Sequence, residues 1–117
     1  MAELTVQNLA ESGLTATYEN AASGGDTADN TGGKLLLHVK NDSMGSINVT
    51  VTAQSASTTK AGYGTVTKSN VVKAVGAGAE AFIGPFAETA FNNASGDIAI
   101  TYSDATSVTI AALRWPG

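Results

Sequence analysis

The sequence predicts an all-β protein, a single antiparallel β-sandwich of jelly-roll-like type with about eight short strands, one domain over residues 1–117. Three observations predict it. Ile47-Asn-Val49-Thr-Val51-Thr52 and Ile98-Ala-Ile100-Thr-Tyr102 alternate apolar with small or polar residues, the period of a strand with one buried and one solvated face. Turn residues, among them 13 glycines, recur between the apolar runs at the spacing of a sandwich or barrel. No window of helical length carries a 3.6-residue apolar stripe.

Taken in order, Leu4, Val6 and Leu9 predict a first strand and Leu14–Tyr18 a second, with a turn at Glu11-Ser12-Gly13. Residues Asn20–Gly33 contain two Gly-Gly pairs and no large apolar side chain, so they cannot offset their ordering entropy by burial and are expected to form a long surface loop. Lys34-Leu-Leu-Leu-His38-Val-Lys40 is an apolar run capped by lysines. Its length favours a strand covered on both faces, central in its sheet. Asn41–Gly45 has turn chemistry, so this strand and Ile47–Thr52 are expected to pair as a hairpin.

Gln54–Gly64 is small and polar apart from Tyr63; Val66 and Val71-Val72 mark a strand or a broken pair. A Gly-rich turn at Val75–Ala79 leads into Phe82-Ile-Gly-Pro-Phe86. There Pro85 has no amide hydrogen and cannot continue a ladder. Ala87–Phe91 has room for one helical turn. The strands Ile98–Tyr102 and Val108–Leu113 are expected to form a closing hairpin around Ser103–Thr106.

Composition narrows function by exclusion. Hydrophobic residues make up 43% of the chain and charged ones 14%, with a formal charge of −4. The basic residues are scattered singly, unlike the patch that neutralises a row of phosphates, so nucleic acid is not expected as a partner. The absence of cysteine removes disulfides, thiolate metal sites and cysteine nucleophiles. No apolar run reaches the roughly 20 residues that span a bilayer, and the N-terminus lacks a signal-peptide pattern. No membrane partner is expected, and synthesis in the cytoplasm fits best.

Individual residues invite chemistry, each with a plainer rival. His38, the single histidine, would need a nucleophile or an orienting partner to act in catalysis; a packed, hydrogen-bonded strand histidine is the simpler reading. Asp26, Asp29 and Asn30 could offer oxygens to calcium, but their spacing is not that of an EF-hand and Asx-turns explain them. Gly76-Ala-Gly78 lacks the following helix or lysine of a nucleotide loop. Asn48-Val-Thr50 and Asn93-Ala-Ser95 match the glycosylation sequon in a chain rich in these residues. No catalytic, metal or cofactor-binding residue is assigned, and no enzyme activity is expected. Trp115 and Pro116 at the chain end, with Tyr63, are the candidate partner contacts, because aromatic residues often anchor interfaces; a terminal Trp packed back on its own domain is the equal rival.

Six stretches together carry a resemblance: Leu4–Leu9, Gly24–Asp26, Leu37–Asn41, Phe82–Phe86, Ile100–Ser103 and Ser107–Arg114. They resemble small virion proteins of tailed bacteriophages, of the capsid decoration or cement type. The resemblance covers nearly the whole chain, and its motifs are structural. It implies a β-sandwich bound to the outside of an assembled head through the major capsid protein, located on the virion surface and made in the bacterial host cytoplasm. A head–tail or tail component is the alternative within that group; a carbohydrate-binding or other adhesive module is the alternative outside it. Unpaired strand edges and the threefold positions of shell lattices point to a homo-oligomer, with a trimer favoured.

Overall fold

The computed structural model describes residues 2–10, 12–54, 57–60, 62, 64–67 and 69–114. Their strands are β1 (Ala2–Glu3), β2 (Val6–Asn8), β3 (Glu19–Asn20), β4 (Asp26–Asp29), β5 (Leu35–Asn41), β6 (Ile47–Val51), β7 (Ser57–Lys60), β8 (Gly64–Thr67), β9 (Val71–Val75), β10 (Glu80–Ile83), β11 (Asp97–Tyr102) and β12 (Val108–Arg114). A single helical turn, α1 (Glu88–Phe91), lies between β10 and β11. Against about eight expected, nine strands have four residues or more, and β1, β2 and β3 are shorter additions.

The chain is all-β, built on two mostly antiparallel sheets. One has the order β1-β4-β11-β6-β9; the other has the order β10-β5-β12-β2, with β3 also on β12. Among the described residues, only β1 with β4 and β2 with β12 pair parallel. β7 and β8 form a separate two-stranded ladder.

Both sheets feed one apolar cluster. Leu35, Leu37 and Val39 of β5 and Val108, Ile110 and Ala112 of β12 meet Ile47, Val49 and Val51 of β6 and Ile98 and Ile100 of β11. The alternation read in the sequence is the alternation of the fold: Ile47, Val49 and Val51 are buried while Asn48 is exposed. Each such side chain contributes about 1.5–3 kcal/mol on leaving water. β5 is central, between β10 and β12, and its other face is covered too, with His38 buried and Leu36 and Lys40 half-buried.

Both expected hairpins are corrected. β5 and β6 lie in different sheets, as do β11 and β12. Each pair points its apolar face at the shared interior from opposite sides, and the connecting segments cross from sheet to sheet. Buried Asn41 makes the first crossing possible. Its Nδ2 donates to the carbonyls of Gly45 (2.8 Å), Val75 (3.0 Å) and Gly76 (3.2 Å), and its Oδ1 accepts from the Ser43 amide (3.0 Å). The Asp42 amide donates to Ser107 O at 2.9 Å, tying the two crossings together.

The N-terminal expectations also change. The predicted first strand is divided: β1 joins one sheet and β2 the other, with Leu4 buried between them. Leu14–Tyr18 is not a strand. The Gln7 side-chain amide takes the place of a neighbouring strand there, donating to Thr17 O (2.7 Å) and accepting from Thr17 N (2.8 Å). The expected loop Asn20–Gly33 contains β4, paired with β11, and Ala28 is fully buried. Burial works without a large apolar residue because Ala28 is small and the buried Asp26 and Asn30 find polar partners.

At the end of β10 the Gly84–Pro85 peptide is cis, and Gly84 has φ +128°. Ile83 and Phe86 turn into the core, where Phe86 meets Phe91 of α1 edge to face at 5.6 Å between ring centres. Phe82 does not join them.

Candidate functional site

Strand edges locate the exposed chemistry. On one side of the molecule the chain passes through β1 and then β2, so short strands border both sheets there. On the other side the borders are β9 and β10, which touch each other. Among the described residues, no backbone bond joins 71–74 to anything but β6, or 80–83 to anything but β5. Val72 on β9 is 58% exposed and Phe82 on β10 is 66% exposed. This side therefore presents two open ladders, each with a large apolar side chain in water, the arrangement that invites another strand.

β10 is held flat by the outer face of β5. Phe82 lies opposite His38 in the ladder, and their rings stack at 4.1 Å with planes 8° apart. His38 Nε2 is 2.9 Å from Glu80 Oε1, and Nδ1 is 2.5 Å from the Tyr18 hydroxyl. An ionised carboxylate only accepts, so Nε2 carries a hydrogen, and Nδ1 of the neutral ring accepts from Tyr18. Lys40 Nζ sits 4.1 Å over the Tyr18 ring, a cation–π contact. Both nitrogens of His38 are thus committed to protein partners and one ring face is covered by Phe82. The residue works as a clasp joining Tyr18, β5 and β10.

The opposite side holds a polar cleft of about 560 Å³, lined by Asp29, Thr31, Ser95, Asp97 and Arg114 together with Leu4 and Val6. Arg114 Nη2 is 3.3 Å from Asp29 Oδ2 and donates to the Asp29 carbonyl at 3.3 Å. Asp29 Oδ1 accepts from the Thr31 hydroxyl (2.6 Å) and amide (2.9 Å). These Thr31 bonds, with the Arg114 charge, hold the Asp29 carboxyl below its usual range.

The fold separates the residues whose chemistry stood out in the sequence. Asp26 and Asp29 project from opposite faces of β4, since Asp26 is buried and Asp29 joins the cleft; the strand's own alternation keeps them apart. Asp26 Oδ2 accepts from the Tyr102 hydroxyl (2.7 Å) and the Ala22 amide (3.2 Å). Burial, then the bond to Asp26 and its charge, push the Tyr102 phenol well above its ordinary range. Asn30 Nδ2 donates to Phe86 O (3.0 Å) and Asn92 Oδ1 (2.7 Å), fastening β4 to the segment after β10. Among the described residues, no group of three or more His, Asp or Glu side chains could hold a metal ion. Gly76–Ala79 is a tight turn closed by Ala79 N to Gly76 O at 3.0 Å. Asn93 caps its own turn, accepting from Ser95 N and Asp97 N.

Trp115, Pro116 and Tyr63 lie outside the described residues. Phe82 and Val72 are exposed apolar side chains that sequence reading passed over. One signal for Phe82 was present: Pro85 three positions later marks a strand that ends early and lies at an edge. Comparisons with protein-family models, with curated proteins and with solved structures find no match to this chain.

Proposed function

We propose that the chain is a structural virion protein of the capsid decoration or cement type. In this reading it is a jelly-roll-like β-sandwich that binds the major capsid protein on the outer surface of an assembled phage head, as a homo-oligomer with a trimer favoured. The observation that supports it is the β9–β10 side, with two open strand edges and the exposed Val72 and Phe82. A protein acting alone gains nothing from such a side, whereas one packed in many copies on a lattice covers it. The sequence resemblance supports the same reading. The physical action is mass action: a protein that binds the shell and not its dissociated subunits shifts the balance toward the shell.

Electron microscopy of particles mixed with the purified protein tests this. The expected result is regular density on the outside of the head and a higher temperature of shell disruption. Density only at the neck or tail selects the head–tail or tail alternative, and bare particles sink both.

The polar cleft supports a second reading, an adhesive module for carbohydrate. Its carboxylates, hydroxyls and Arg114 could bond a sugar, although no aromatic platform is among the described residues that line it. A glycan array reads this directly; binding that Asp97→Ala abolishes would favour the adhesive module.

A further inference from the structure

We propose that the β9 edge of one copy pairs antiparallel with the β10 edge of a second copy of the same chain. This deepens the homo-oligomer of the proposed function by naming its contact, but it rests on the two edges and needs no shell.

Strand direction comes first. The Asn41 side chain gathers the Gly45, Val75 and Gly76 carbonyls, and the Asn41 amide donates to Ala79 O at 3.0 Å. The ends of β5 and β9 and the starts of β6 and β10 therefore share one end of the molecule. β9 runs toward that end and β10 away from it. A symmetry axis parallel to the strands keeps those directions, so β9 of one copy meets β10 of the next already antiparallel.

Charge selects this pairing over the symmetric one. β9 carries the cation Lys73 at its centre, and β10 carries the anion Glu80. Two β9 strands paired antiparallel about their midpoints would set Lys73 against Lys73, and like charges directly opposite are destabilising. β9 against β10 avoids this, since β10 carries no cation.

Register follows from the faces. On β9, Val71 and Val75 face the core and Val72 faces out; on β10, Ile83 faces the core and Phe82 faces out. A continuous sheet needs these alternations in phase, because a one-residue slip puts every side chain on the wrong face. Val72 opposite Phe82 of the next copy satisfies that, and it sets Val71 opposite Ile83. The pairing covers both exposed apolar side chains in one contact, against a Phe82 ring already fixed by His38. The contact is heterologous, and it closes as a ring where the rotation from copy to copy completes a full turn; three copies about a threefold axis would satisfy every β9 and every β10 edge.

The chain has no cysteine, which makes the test clean. Val72→Cys and Phe82→Cys are prepared as separate full-length proteins, mixed and oxidised. The expected product is the mixed disulfide joining position 72 to position 82, identified by mass spectrometry and exceeding either homodisulfide. Light scattering of the unmodified protein at micromolar concentration should give an oligomer, and Val72→Lys should turn it into a monomer with an unchanged circular dichroism spectrum. An unmodified protein that is monomeric, or homodisulfides that dominate the mixture, overturns the pairing. So does Val72→Lys remaining oligomeric. A dimeric mass with the mixed disulfide keeps the pairing and removes the trimer. A correct ring that leaves phage heads bare keeps the pairing and removes the virion reading.

Discussion

The Tyr102 hydroxyl donates to the fully buried Asp26 carboxylate at 2.7 Å, tying β11 to β4 just beyond the point where Ile100 lies opposite Asp26. The other oxygen, Oδ1, is buried without a hydrogen-bond partner among the described residues. Asp26 therefore rests on this phenol and on the longer bond from the Ala22 amide. Tyr102→Phe should cost about 1–3 kcal/mol in urea unfolding, because it strips a partner from a buried charged group. A raised phenol pKa gives stability that is full below the unfolded value of about 10 and is lost as pH rises through the folded one. The unmodified protein should weaken above that unfolded value, and the Phe variant should lack this part of the decline.

Asp29 has the opposite sign. Its pKa is lowered by the Thr31 bonds and by Arg114. The stability it contributes is therefore present above the unfolded carboxyl value, near 4, and lost as pH falls through the lower folded value. Asp29→Asn should flatten the stability profile in that acidic window by removing a contribution that is full at neutral pH, and the loss there should be small, since the side chain is half-exposed and its ion pair is screened. Urea titrations across the acidic range would show it; parallel curves for the two proteins would refute it.

The faces of β6 give a paired test. Val51 is fully buried and lies opposite Ile100, whereas Thr50 projects to the other side. Val51→Asp buries a charge with no partner, a cost of several kcal/mol against a total stability of about 5–15 kcal/mol, and should unfold the chain. Thr50→Asp should retain the native circular dichroism spectrum.

Gly84 is required by space as well as by backbone. A Cβ there would lie 2.6 Å from the Leu35 carbonyl oxygen and 3.2 Å from Leu36 Cδ2, at φ +128°. Gly84→Ala should therefore cost more than about 2 kcal/mol in thermal or urea melts. Gly45 meets nothing within 4 Å and has no positive φ, so Gly45→Ala should be near neutral. Equal effects of the two would mean that the end of β10 yields freely.

The sequence by itself determined the β character, the buried faces of β6 and β11, the central place of β5 and the turn at Gly76–Ala79, because strand alternation and turn chemistry are local. It also singled out His38, but not its partners. Tyr18 and Glu80 are distant in the chain, and only ladder register brings them to the two ring nitrogens. Pairing is non-local in the same way. Ile47–Val51 has one apolar face whether it turns back on β5 or crosses to the opposite sheet, and the choice depends on Asn41 finding carbonyls on two turns at once. β4 escaped notice because small residues bury little area, and its place comes from β11 beside it and from Tyr102 above Asp26. Phe82 shows the limit most plainly. Composition does not separate it from its apolar neighbour Ile83, but β10 borders its sheet and the alternation of that strand turns Ile83 inward, which leaves Phe82 on the surface against His38.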